Sequence, residues 1–256
     1  MAETSLAEEF DSFLESGGDV VEGALLVARI VNAQADAKWC RAELQRLADD
    51  AGLGISPLGL VNWLRNQGFC GVAGRDFRAE DSSLENVLRE RTGIPISLAV
   101  VLMGIAERLK IEAFGINFPQ RFLVSFGDVM VDPFAMEVTN EEACRNWLKN
   151  HRISSRQAFK KADAIDVVLR MLNNLRMLAS SVGDYGQALS LTDYQLILKP
   201  EAYSLYVDRA DIWLLLGSVD KGRQELERAL FVADDHIKVL VRSRLKELSE
   251  DSSMSN

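Results

Sequence analysis

Histidine is almost missing from this chain of 256 residues: His151 and His236 are the only two. Cysteine is nearly as scarce. Cys40, Cys70 and Cys144 are far apart, odd in number and never in a Cys-x-x-Cys pair. That shortage excludes a disulfide framework and a zinc site of ordinary ligand spacing, so no metal and no cofactor are expected. Reduced thiols fit a cytoplasmic protein. Positive charge is also in deficit. The net charge of −9 argues against a nucleic-acid surface, whose affinity comes from clustered Lys and Arg. Two local concentrations, Arg156-Lys160-Lys161 and Lys238-Arg242-Arg244-Lys246, are interleaved with acids or apolar helical positions and read as solvated helix faces. Long apolar runs are missing too. Residues 94–105 are interrupted by Pro, Ser and Gly and are too short to cross a bilayer. The acidic start MAETSLAEEF lacks the cationic end and apolar stretch of a signal peptide. Neither nucleic acid nor membrane is therefore an expected partner.

What is present is material for a packed core. Hydrophobic residues make up 48% of the chain, typical of a globular protein, and the length suits one large domain or two modest ones. Residues 1–91 read as helical. Residues 20–30 carry an apolar face at helical spacing, and Trp39, Leu44 and Leu47 continue it up to Gly52. Ser56-Pro57 offers a cap followed by proline at the first helical position. Ser82-Ser83-Leu84-Glu85 has the form of a capping box. The middle mixes element types. Residues 97–110 form an apolar helix, buried on most faces. Residues 113–118, 121–126 and 129–132 are short strands, with Gly127-Asp128 as a two-residue hairpin turn. Thr139-Asn140-Glu141-Glu142 is a second capping box, opening a helix through Trp147. A polar stretch at 151–163 marks a junction. The core is thus expected over 1–155, with its motifs in 92–150.

From about 166 the pattern is helical, with a repeat. Gly183 and Gly217 lie 34 residues apart, the tetratricopeptide period. With Gly183 between the two helices of a repeat, Tyr185, Ala188 and Pro200 take the aromatic, small and proline positions. In the second copy, Tyr206 and Trp213 are the aromatics, Leu226 and Ala229 the large and small residues, and Gly222 replaces the small alanine. Two such repeats over 163–248 are expected, with Tyr185, Tyr206 and Trp213 marking a partner-binding region. An ordinary helical hairpin bundle is the alternative. The tail at 249–256 lacks apolar anchors and reads as disordered.

The chemistry centres on Arg91-Thr92-Gly93-Ile94-Pro95-Ile96-Ser97, Asn117-Phe118-Pro119-Gln120-Arg121 and Val131-Asp132-Pro133-Phe134. Ser97 stands at a helix start, where a nucleophile gains from exposed amides and the helix dipole. The hairpin turn pairs Phe126 with Val129, and hence Leu123 with Asp132. Arg121 and Asp132 then share one sheet face as diagonal neighbours, about 7–8 Å apart at Cα. Arginine is always protonated and cannot accept the proton of a serine. An Arg121–Asp132 ion pair, an anion held by Arg121, and hidden catalysis with His151 as base all remain open. For Ser97 the competing role is a helix cap. Cys70 in its glycine-flanked loop and Cys144 near Trp147 read as incidental or core thiols.

These blocks resemble the bacterial SirB-type family, in which a transglutaminase-like core is joined to C-terminal tetratricopeptide-like repeats. The residues that carry the resemblance are LENVLRERTGIPISLAVVLMGIAERL at 84–109, GINFPQRFLV at 115–124, VDPF at 131–134 and VEGALLVARI at 21–30. It implies an α+β, mostly helical fold, with the central helix set against a small antiparallel sheet. It also implies that Ser97, Arg121 and Asp132 match the nucleophile, histidine and aspartate positions of a Cys-His-Asp layout. Relatives commonly have Gly-His where this chain has Gln120-Arg121. The expectation is a pseudoenzyme: a cytoplasmic interaction or scaffold protein whose repeats bind a peptide or protein. The rivals are a hydrolase or acyltransferase with an unconventional Ser or Cys nucleophile, and a small-anion sensor built on Arg121.

Overall fold

The structure, a computed structural model, describes residues 5–155 and 158–254. The chain divides into two compact units, one up to residue 171 and one from 172 on. The boundary falls later than the polar stretch at 151–163.

The first unit opens with four helices: α1 (Leu6–Glu15), α2 (Val20–Val31), α3 (Ala37–Ala51) and α4 (Pro57–Asn66). Side chains of Ser5, Asp19, Asp36 and Ser56 accept the orphan amides of their first turns, the usual device at a helix start. A short strand β1 (Cys70–Gly71), a 3-10 turn (Ala79–Ser82), α5 (Leu84–Glu90) and strand β2 (Thr92–Gly93) lead into α6 (Pro95–Arg108). Every residue from Ile96 to Ala106 is buried, as its all-round apolar sequence requires. The helix is the axis on which the unit packs.

A five-stranded antiparallel sheet follows in the order β6-β5-β4-β3-β7. Its strands are β3 (Phe114–Ile116), β4 (Leu123–Phe126), β5 (Val129–Asp132), β6 (Glu137–Thr139) and β7 (Lys161–Ala162), with α7 (Glu141–Asn150) between the last two. Gly127 turns the β4–β5 hairpin at φ +69° and Phe126 pairs with Val129, the expected register.

Three local expectations are corrected. The cap of α5 is Ser83 rather than Ser82, and it caps only with its backbone. The Glu85 carboxylate is drawn away to α3, where it accepts from Asp36 N–H (3.3 Å), and to Arg89 (2.8 Å). At α7 the cap is Asn140, which accepts from Ala143 N–H (2.8 Å), rather than Thr139. Lys161 lies in β7 rather than on a helix face, and Lys160 pairs with Asp166 (3.6 Å); Arg156 lies outside the described residues.

Helix α8 (Ala164–Ser181) begins in the first unit and continues into the second. The second unit goes on with α9 (Tyr185–Leu198), α10 (Tyr203–Leu215), α11 (Val219–Val232) and α12 (Asp235–Met254). Gly183 and Gly217 end α8 and α10 at φ +79° and +73°, a conformation glycine adopts without strain. The helical repeat therefore keeps the 34-residue period. A Cβ on Gly222 would lie 2.9 Å from the Leu214 side chain, so its absence lets α10 and α11 close up. Ala210, Leu226, Ala229 and Val241 form the buried cluster between these helices and α12. Helix α12 runs through 249–254, where the sequence pointed to a disordered tail; 255–256 lie outside the described residues. Among the described residues, no helix is long and apolar enough to cross a membrane.

Candidate active site

Ser97 sits in the first turn of α6 with no exposed surface. Residue 94 is an isoleucine and offers no capping oxygen, so the serine reaches back to do that work. Its Oγ accepts from Ile94 N–H (3.1 Å) and directs its proton at Asp81 O (2.7 Å) or Ile94 O (3.0 Å). All these partners are backbone groups. None of these three partners is a general base of the kind that activates a nucleophile. Gly93 fits closely over it: a Cβ there would come within 2.7 Å of Ser97 Oγ.

Asp81, which receives the serine proton, is itself held in place. Its carboxylate is 3% exposed and accepts from Arg75 through both oxygens (2.7 and 2.5 Å) and from Arg78 N–H (2.8 Å). Desolvation pushes its pKa upward, but these donors outweigh it and the pKa ends below the ordinary value. A polar cavity of about 400 Å³ opens beside this turn, between Arg75, Arg78, Asn86 and Glu90. Ser97 does not line it.

Arg121 and Asp132 do meet. Arg121 lies on a turn closed by its own N–H to Phe118 O (3.1 Å), just ahead of β4. Its Nη1 is 3.2 Å from Asp132 Oδ2. The other oxygen, Oδ1, accepts from Phe134 N–H (3.0 Å). The guanidinium carbon stands 5.0 Å above the Trp147 ring. Ser97 shares no hydrogen bond with either residue. Residues 70–72 run between the two places: Cys70 N–H and Val72 N–H donate to Arg91 O and Gly93 O on one edge, and Gly71 N–H donates to Phe134 O on the other. The Phe134 ring lies so close that a Cβ on Gly71 would be 2.2 Å from it.

A model of the transglutaminase-like superfamily matches residues 38–173, a stretch holding all three positions. A UPF0162 protein of Pseudomonas aeruginosa is 32% identical over 214 residues, covering 81% of this chain and 79% of that protein. The chain belongs to the SirB-type family. A UPF0162 protein of Vibrio cholerae is 25% identical over 97% of each chain. SirB1 of Salmonella typhimurium is 24% identical over 199 residues, 70% of this chain and 74% of its own.

In this SirB-type core none of the other candidate groups is hydrogen-bonded to Ser97. Cys144 is buried on α7, and its Sγ is 3.8 Å from Thr139 Oγ1. Burial chiefly pushes its pKa up, and the Thr139 contact and the Arg121 charge only partly oppose that. A raised pKa disfavours the thiolate, which is the reactive form. His151 stacks on Trp147 at 4.0 Å and its Nδ1 is 2.8 Å from Trp147 O, so its ring is tied to its own helix. Cys70 is exposed and Cys40 is buried, its thiol pushed up to about 12 by desolvation. Trp147, between Arg121 and His151, is the site residue to which the sequence reading gave no role beyond its helix. The signal was available: Cys144, Trp147 and His151 are spaced i, i+3, i+7 on one helix face. The Asp81 carbonyl and the Gly71–Phe134 contact had no sequence signal, because both are backbone geometry.

The three aromatics of the second unit have separate duties. Tyr185 opens α9, half-buried. Tyr206 packs on the Leu226–Ala229 cluster and donates its hydroxyl to Pro200 O (2.9 Å). Trp213 carries Lys221 Nζ 4.0 Å above its ring.

Proposed function

We propose that this protein acts in the cytoplasm as a non-catalytic interaction protein, with the transglutaminase-like core as scaffold and the helical repeats as a surface for a peptide or protein partner. The observation that carries this reading is the occupant of the histidine position. Arg121 is ion-paired with Asp132 at 3.2 Å and cannot take a proton, and general-base help of about 10²–10⁴-fold is forgone. The repeat surface supports the other half. Phe231 (88% exposed), Val239, Leu240 and Leu215 leave large apolar side chains in water, the material from which a partner-binding surface is made.

The test has two arms. Wild type and Arg121→His are incubated with a glutamine peptide and hydroxylamine, and separately with a fluorophosphonate probe, followed by adduct mapping. Neither hydroxamate nor an adduct at Ser97 is expected from either protein. Turnover that disappears in a folded Ser97→Ala variant would overturn the non-catalytic reading. In the second arm, wild type and a Phe231→Ser/Leu240→Ser variant are used as affinity baits. A partner retained only by wild type is expected. Identical captures by both baits would remove the repeats from the proposal.

A further inference from the structure

A second cavity, of about 490 Å³, lies in the first unit beside the later turns of α6. Glu107 on its wall is ten residues beyond Ser97, about 15 Å along the helix axis. Met103, Ile111 and Phe114 give it an apolar lining, while its charged lining is Asp19, Glu107, Glu112, Asp163 and Lys161. Four carboxylates thus face one ammonium.

The four carboxylates are not equivalent. Asp19 and Asp163 cap α2 and α8, accepting from Glu22 N–H (2.9 Å) and Asp166 N–H (2.7 Å). They answer the amide ends of those helices, which would otherwise draw an anion. The Glu107 and Glu112 carboxylates have no hydrogen bond or ion pair among the described residues, and both side chains are exposed. The neighbouring cation, Arg108, is turned to Gly104 O (2.7 Å). Lys161 Nζ stands 4.6 Å over the Phe114 ring, so an ammonium already rests on the aromatic face here, as ring electrostatics favour. An apolar wall, an aromatic face that accepts an ammonium and two unanswered carboxylates together describe one ligand class.

We propose that this cavity binds an aliphatic diamine, with the alkyl chain along Met103, Ile111 and Phe114 and the ammonium groups answered by Glu107 and Glu112. The site is separate from the Ser97 region and does not depend on the function proposed above.

Calorimetric titration of the full chain at low ionic strength tests it, using 1,5-diaminopentane, pentane-1,5-diol and pentanedioate. The diamine should bind about tenfold or more tightly than the diol, a difference worth about 1.4 kcal/mol, and the diacid should not bind. Glu107→Gln/Glu112→Gln should weaken the diamine by a similar factor with an unchanged melting temperature. Lys161→Met should tighten it, because the resident ammonium leaves the ring. Equal binding of diol and diamine, an unaffected double variant, or weaker binding by Lys161→Met would each overturn the proposal.

Discussion

Truncating Ser97 to alanine removes one oxygen from a site with no exposure to solvent. Two interactions go with it: the proton directed at Asp81 O and the acceptor for Ile94 N–H. Ile94 N–H keeps a long bond to Asp81 O (3.3 Å), so neither backbone group is stranded outright. A buried hydrogen bond is worth about 0.5–1.5 kcal/mol net, and an orphaned buried partner costs about 1–3 kcal/mol. A loss of about 2 kcal/mol is the expected sum for Ser97→Ala. At about 2–4 °C per kcal/mol for a chain of this length, Tm falls by about 4–8 °C. Urea unfolding followed by tryptophan fluorescence measures it, because Trp39, Trp63 and Trp147 all report on the first unit. Ser97→Cys should be destabilised as well, and its thiol should resist iodoacetamide until denaturant is added. A Ser97→Ala protein as stable as wild type to within about 0.5 kcal/mol would refute the structural role. So would rapid alkylation of native Ser97→Cys.

Two further perturbations have signs that the structure determines. The Asp81 pKa is lowered in the folded state from 3.8, so its contribution is fully present above 3.8 and is lost as pH falls through the lower folded value. Asp81→Asn should therefore cost about 1.5–3 kcal/mol at pH 7, with the gap to wild type closing in acid; a gap that stays constant down to pH 3 would contradict it. Asp208 has the opposite sign. Burial raises its pKa despite Arg176, so its contribution is lost as pH rises, and the comparison should move in favour of Asp208→Asn toward neutral pH. In the repeats, Gly222→Ala gains helix propensity of about 1 kcal/mol but places a Cβ 2.9 Å from both Cγ and Cδ2 of Leu214 and 3.3 Å from Ala210 O, so the gain is offset by the shift that Leu214 must make and little net change in Tm is expected. Gly222→Leu forces α10 and α11 apart and should lose about 1–3 kcal/mol; an unshifted melt would show that the helices do not meet there.

Legibility in the sequence followed element size and the number of local cues. Helix α6 and the β4–β5 register could be read because a continuous apolar run and a Gly-Asp turn act over neighbouring residues. Strands β1, β2 and β7 have two residues each, too few for any alternation to register. The cap misread at Ser82 has a specific cause: Glu85 fits the local pattern, but Asp36 at the start of a distant helix supplies a competing donor. The repeat glycines were found because a positive φ leaves a compositional mark. At the candidate site, the Arg121–Asp132 pair was legible, because the hairpin register sets the two residues on one sheet face. The burial of Ser97 was not announced, because it depends on a carbonyl at Asp81, sixteen residues earlier.

The three-residue ribbon at 70–72 makes access between Ser97 and position 121 a matter of backbone rather than alphabet. Its amides are stitched to Gly93 on one flank and to Phe134 on the other. An imidazole placed at position 121 would leave that seam closed. Joining the two places in one reaction would first mean unpicking main-chain pairing and making room beside Gly71, several coordinated changes where a codon table suggests one.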